Sequence, residues 1–114
     1  RVVAFGGDGR YSEGLVKAAK GADVLVIEGA TSDDIKYATW GGDDLEKRQR
    51  IIGAYHMFPA TLKRIQDESG VKLIVMTHEQ DWAPPEKYNR LNLLHEMQRA
   101  GVKNIYSAMD GDLY

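Results

Sequence analysis

The sequence contains no cysteine, which excludes disulfides, thiolate metal sites and cysteine nucleophiles. This absence fits a reducing compartment and, with no secretory signal apparent, leads us to expect a cytoplasmic protein. Long apolar runs are also lacking, whereas a membrane-spanning helix needs about 20 apolar residues, so no membrane partner is expected. Neither sign of charge is in large excess, since 15 Lys and Arg against 17 Asp and Glu give a net charge of -2. This balance does not support nucleic-acid binding through a broad positively charged surface.

The 114 residues fit one domain with a core of its own. The first residue is Arg1 rather than Met, and Val2 already has the character of a buried strand. We therefore expect residues 1–114 to be a single domain that forms part of a longer protein.

Short apolar runs alternate with amphipathic segments along the chain. Four segments are predicted strands, with residues 113–114 as a further edge: 2–5, 24–27, 71–76 and 103–106. Four helices are predicted, which begin after Ser12, at Asp43-Asp44, at Phe58-Pro59 and near Glu86. The second predicted helix carries Leu45, Ile52 and Tyr55, and Tyr88, Leu91, Leu94 and Met97 form a stripe on the fourth. This alternation predicts an α/β fold with a mainly parallel sheet and helices packed on it.

Polar residues follow the ends of several predicted elements. Asp8 comes after the first strand, His78 after the third, and His56 lies between two helices. Because chemistry in open α/β sheets collects outside the carboxyl ends of strands, we expect Asp8 and His78 at one edge. A carboxylate can bridge two cations, a neutral imidazole can bind one, and a histidine outside the ligand set can protonate a leaving group. Glu28, at the end of the second strand, could orient a metal ligand through a hydrogen bond without contacting the metal itself.

Each of these residues also has a purely structural interpretation. Asp8, within Gly-Gly-Asp-Gly, could satisfy a tight turn, and His56 could be a helix-end residue without chemistry. Glu28 could face water, which is the commoner situation for a glutamate at a strand end. His95 lies among charged neighbours and is expected on the surface. Trp82, in the loop after His78, could line a pocket or remain an exposed aromatic residue.

Taken in order, the motifs resemble the carboxy-terminal half of a metallo-β-lactamase superfamily hydrolase with a ribonuclease Z-like motif order. They are Phe-Gly-Gly-Asp-Gly-Arg, Val-Ile-Glu-Gly-Ala-Thr, Ala-Tyr-His and Ile-Val-Met-Thr-His, and residues 109–114 resemble a terminal hairpin. The resemblance implies half of a four-layer αββα sandwich. It also implies that Asp8 bridges two metals, His78 is the final metal ligand and His56 assists proton transfer. Gly9, Ile27 and Met57 depart from the residues usual at their positions in that family.

The family's main ligand motif, His-x-His-x-Asp-His, is absent, since the chain has three histidines and none lie two residues apart. The resemblance therefore implies a metal-dependent hydrolase in which this chain supplies part of a dinuclear site. The implied cofactors are two divalent ions, with zinc favoured over manganese and iron. A small-molecule or ester substrate, a lactam or a phosphodiester fits this chemistry, and the missing amino-terminal half or a second copy would be the partner.

Two other functions stay open. The run Phe5-Gly6-Gly7-Asp8-Gly9 also resembles the Gly-Gly-Asp-Gly-Thr loop of diacylglycerol kinase-like and NAD kinase-like enzymes, in which backbone N–H groups approach phosphates. That match stops at Arg10, where threonine is expected. Alternatively, the chain is an inactive fragment that acts as an association module.

Overall fold

A computed structural model describes residues 1–113 and confirms the α/β class. All four strands are parallel and lie in the order β1-β2-β3-β4. The strands are β1 (Val3–Gly7), β2 (Val24–Ala30), β3 (Leu73–Gln80) and β4 (Ile105–Ser107). The helices are α1 (Glu13–Ala19), α2 (Leu45–Ile52), α3 (Pro59–Ser69) and α4 (Asn92–Arg99), with a short 3-10 helix at Ile35–Tyr37.

Local capping chemistry explains where the helices begin and end. The Ser12 hydroxyl accepts from Leu15 N at 3.1 Å and starts α1, and the Asp44 carboxylate accepts from Lys47 N at 2.8 Å and starts α2. Proline occupies the first turn of α3, and Gly70 ends that helix with a left-handed φ of 72°. These are the positions that the sequence predicts.

Helices α1, α3 and α4 cover one face of the sheet. The strands advance in one direction across the sheet, and right-handed crossovers between such strands place their helices on the same side. On this side, alternate strand residues form the core with side chains of α1, α3 and α4. The strand residues are Ala4, Leu25, Ile27, Ile74, Met76 and Ile105.

The opposite face of the sheet carries the other set of alternating residues, which we call the open face. It comprises Val3, Phe5, Val24, Val26, Leu73, Val75 and Tyr106. Phe5 is 76% exposed and Tyr106 is 51% exposed. The expectation that β1 is a buried strand is therefore wrong: β1 is an edge strand, and only Ala4 of residues 2–5 is buried.

Three further predictions are corrected. Helix α4 begins at Asn92 rather than near Glu86, because the Asn89 side chain accepts from Leu91 N in a turn that precedes the helix. Tyr88 is consequently exposed and precedes the helix. Helix α2 ends at Ile52, so Tyr55 also lies outside it and is exposed. Residue 113 belongs to no strand, and the rest of the predicted edge, Tyr114, lies outside the described residues. Within residues 1–113, no helix combines the length and apolarity needed to cross a membrane.

Candidate metal-binding edge and proton-transfer site

Two irregularities in the sheet bring Asp8 and His78 together. Between β1 and β2 the register skips Gly6, and between β2 and β3 it skips His78. His78 is thus the extra residue of a bulge, and its φ of 46° is left-handed. Bulges next to functional sites redirect a side chain, and here the His78 Nε2 atom lies 3.3 Å from Asp8 Oδ2.

The Asp8–His78 pair has the donor types of a divalent cation site but not a complete ligand set. Both side chains are exposed, at 62% for Asp8 and 54% for His78. The side-chain amide nitrogen of Gln80 also lies 3.1 Å from His78 Nε2. Among residues 1–113, no cluster of three or more His, Cys, Asp or Glu side chains could hold a metal. A carboxylate and an imidazole suit zinc in kind, but zinc takes about four ligands, so further ligands must come from outside this pair.

Glu28 lies buried beneath this edge and joins three segments of the chain. Its side chain is 1% exposed. One carboxylate oxygen accepts from Met57 N at 2.9 Å and from Gly9 N at 3.3 Å. The other lies 2.9 Å from His56 Nδ1. The interpretation of Glu28 as a water-facing residue is wrong, because its carboxylate is satisfied by protein donors.

His56 is held against Glu28 by the path of the chain between α2 and α3. Ala30 N donates to Met57 O at 2.9 Å, so this segment runs alongside the end of β2. The His56 side chain is only 14% exposed. With Nδ1 donating to the carboxylate, Nε2 is the nitrogen available for other chemistry.

A cleft of about 590 Å³ lies between Asp8 and His56. Its lining consists of Asp8, Gly9, Arg10, Ala54, Tyr55 and His56. The candidate metal ligand Asp8 and the candidate proton donor His56 therefore face the same space, which is large enough for a small ligand.

Two tryptophans surround the His56 ring. Trp82, predicted as a candidate pocket residue, packs with a small core of Ile35, Ala38 and Ile52. Trp40 was missed by the sequence analysis because it lies in a stretch without periodicity, where no signal marks its neighbours. His95 is exposed, as expected.

The glycine loop after β1 is poorly suited to a phosphate group. Gly9 N already donates to the buried Glu28 carboxylate. A negative charge beneath the loop opposes an anion above it, which argues against the kinase-like interpretation.

No protein-family model matches the chain. The chain is similar to ribonuclease Z of Myxococcus xanthus (strain DK1622), with 33% identity over 78 residues. The matched stretch is 68% of this chain and spans only 22% of the relative's length. This similarity supports the metallo-β-lactamase superfamily at most and indicates neither a metal nor a substrate for this chain.

Proposed function

We propose that this chain supplies part of the active site of a metal-dependent hydrolase. The observation that carries the proposal is the 3.3 Å approach of His78 Nε2 to Asp8 Oδ2 at the carboxyl edge of a parallel sheet. The similarity to a ribonuclease Z supports the same class of chemistry. Among ester, lactam and phosphodiester substrates, the relative's name favours a phosphodiester.

The Asp8 carboxylate would bridge two divalent cations, and His78 would bind one of them through Nε2. Zinc, manganese and iron all accept this mixture of oxygen and nitrogen ligands. Zinc is the favoured metal, because a site of this kind generally binds zinc more tightly than divalent manganese or iron. Bound there, such cations lower the pKa of water and polarise the scissile group. The remaining ligands would come from another segment of a longer polypeptide or from a second copy.

His56 would donate a proton to the leaving group. Glu28 accepts from Nδ1 and so leaves Nε2 for the substrate. Burial of the carboxylate keeps water from competing for this hydrogen bond. The Gly9 and Met57 amides that also donate to Glu28 fix the carboxylate itself.

A zinc titration of the chain tests the metal ligands. We expect Zn²⁺ to perturb the imidazole NMR signals of His78 first. Asp8→Asn or His78→Ala should weaken Zn²⁺ binding by at least about tenfold, since even the loss of a residue that only hydrogen-bonds to a metal ligand has an effect of that size. His56→Ala should leave Zn²⁺ affinity unchanged, and His95→Ala is the matched control. Unchanged Zn²⁺ affinity in both Asp8→Asn and His78→Ala would contradict the proposal.

An association surface is proposed for the open face. A second sheet, from another segment of a longer polypeptide or from another copy of the chain, would cover Val3, Phe5 and Tyr106, which are all about half-exposed or more. The same face would serve the chain if it acts only as an association module.

A further inference from the structure

The rings of Trp40, His56 and Trp82 pack mutually edge to face. The His56 ring centroid lies 6.0 Å from that of Trp40 and 6.3 Å from that of Trp82, with interplanar angles of 69° and 63°. The two indoles are 5.9 Å apart at 74°. These distances and angles lie in the range that aromatic pairs prefer.

We propose that Trp40 and Trp82 are positioning residues that hold the His56 imidazole in the orientation selected by Glu28. The inference rests on the proposed function, in which His56 donates a proton. A single hydrogen bond fixes the Nδ1 atom but leaves the ring plane free to rotate about the bond. Rings packed against the imidazole restrict that rotation and so fix the direction of Nε2.

Each tryptophan is itself held in place. Trp82 packs on Ile35 and Ile52, and its backbone N–H donates to the Thr31 hydroxyl at 3.5 Å. Its indole nitrogen is buried with no hydrogen-bond partner among the residues described. The ring therefore acts by packing, and a phenyl ring should replace it. Trp40 contacts the other two rings but remains 40% exposed.

The arrangement also links the two halves of the candidate site. Trp82 lies in the loop directly after β3, the strand that carries His78, and Trp40 lies between the 3-10 helix and α2. The loop that follows the candidate metal ligand thus packs against the candidate proton donor. Such packing matters because a misplacement of about 1 Å can cost an enzyme about a hundredfold in rate.

The imidazole itself reports the effect without any metal or substrate. In the 15N-labelled chain we expect long-range 1H–15N spectra to show the His56 proton on Nδ1, donated to Glu28, in the wild type and in every folded tryptophan variant. Trp40→Leu and Trp82→Leu should each free the ring to rotate about that hydrogen bond, which lowers the relaxation-derived order parameter of the His56 ring C–H bonds. Trp40→Phe and Trp82→Phe should restore the order parameter of the wild type.

Tyr88→Leu, which removes an exposed ring outside the cluster of Trp40, His56 and Trp82, is the control and should leave His56 unchanged. Circular dichroism checks that each variant is folded. If Trp82→Leu does not fold, Trp40→Leu decides the question, because that ring is already 40% exposed. A folded Trp40→Leu in which the His56 ring keeps its wild-type order parameter overturns the inference.

The zinc titration separates this inference from the proposed function. The tryptophan variants should bind Zn²⁺ as the wild type does, whereas Asp8→Asn should not. Equal Zn²⁺ affinity of Asp8→Asn, His78→Ala and the wild type would overturn the metal site, while the order parameter of the His56 ring alone judges the positioning role. In a metal-loaded, active polypeptide that contains this chain, Trp82→Leu should lower kcat about tenfold with KM unchanged, as expected for partial loss of acid catalysis.

Discussion

Glu28 is the residue on which the local geometry of the site depends. Its buried carboxylate receives the Gly9 amide, the Met57 amide and the His56 ring nitrogen. A buried acceptor that serves three donors is costly to alter, because any donor left without it stays unpaired and out of water.

Glu28→Gln should destabilise the fold by about 2 kcal/mol, since the amide keeps one acceptor oxygen and turns an N–H₂ group towards a donor. Urea denaturation of the variant measures the change in the free energy of unfolding. Glu86→Gln replaces an exposed glutamate and is the matched control, with an expected change close to zero. Equal stability of the two variants would show that Glu28 does not organise these segments.

For single residues, the sequence predicted which side chains lie at strand ends better than it predicted their burial and their neighbours. The proximity of Asp8 and His78 could be predicted because strand ends of a parallel sheet share an edge. The burial of Glu28 could not be predicted, because it depends on the segment around Met57, which is distant in sequence and has no strand-like pattern. Trp40 was missed for the same reason, since its neighbours Trp82 and His56 come from separate loops.

The bulge at His78 is the feature that matters at the scale of single elements. Its φ of 46° is a conformation that L side chains adopt at a cost of about 1–2 kcal/mol and that glycine adopts freely. The strand accepts this cost where it turns the imidazole towards Asp8.

His78→Gly should therefore be more stable than His78→Ala by about 1 kcal/mol in urea denaturation. The preceding residue, Thr77, has a negative φ and provides the comparison pair. Thr77→Gly should be less stable than Thr77→Ala by about 0.5–1 kcal/mol, the usual order within a strand. The same order at both positions would mean that the bulge relaxes without strain.

A second element-level contact joins the start of α1 to α3. The Tyr11 hydroxyl donates to Glu68 Oε2 at 2.7 Å, and Arg64 Nε donates to Glu68 Oε1 at 2.6 Å. These two donors, Tyr11 first, hold the pKa of Glu68 below its ordinary value of 4.5. A lowered folded-state pKa means that the stabilisation is present above pH 4.5 and is lost as the pH falls through the folded-state pKa.

Glu68→Gln should accordingly be less stable than the wild type at neutral pH, and the difference should disappear on acidification below the pKa of Glu68. Thermal unfolding followed at several pH values measures it. Asp67→Asn removes a carboxylate of the same helix that pairs with Lys63 instead, so the Tyr11 contact is kept. A stability difference between Glu68→Gln and wild type that is constant with pH would exclude the carboxylate as its source.

Element boundaries were predicted well where a local signal sets them and poorly where tertiary contacts do. The Ser12 cap, Pro59 and Gly70 are local signals, and the corresponding ends were recovered. The start of α4 is an exception, because the hydrogen bond from Leu91 N to the Asn89 side chain is local but lies within an otherwise helical apolar pattern that predicts an earlier start. That β1 lies at the edge of the sheet cannot be read from a continuous apolar run, since central and edge strands share that pattern.

The whole molecule is a one-sided sheet, and its two faces differ in their surroundings. The face towards the helices is buried, whereas Phe5 on the open face is 76% exposed. The exposed apolar side chains of this face lie on the edge strands, Val3 and Phe5 on β1 and Tyr106 on β4, whereas Val75 on β3 is 5% exposed. Exposed apolar side chains of this kind are typical of surfaces that bind another protein or another copy. We therefore expect the chain alone to associate through this face.

Phe5→Lys should reduce that association at little cost to the fold, because the side chain it replaces already faces solvent. Sedimentation equilibrium over a range of concentrations would show a wild-type mass that rises with concentration and a variant that stays closer to the monomer mass. Tyr88→Lys places the same charge at an exposed aromatic position outside the sheet and should associate like the wild type. The open face would lose its proposed role if the wild type stayed monomeric throughout, or if both variants weakened association equally, since charge rather than location would then be responsible.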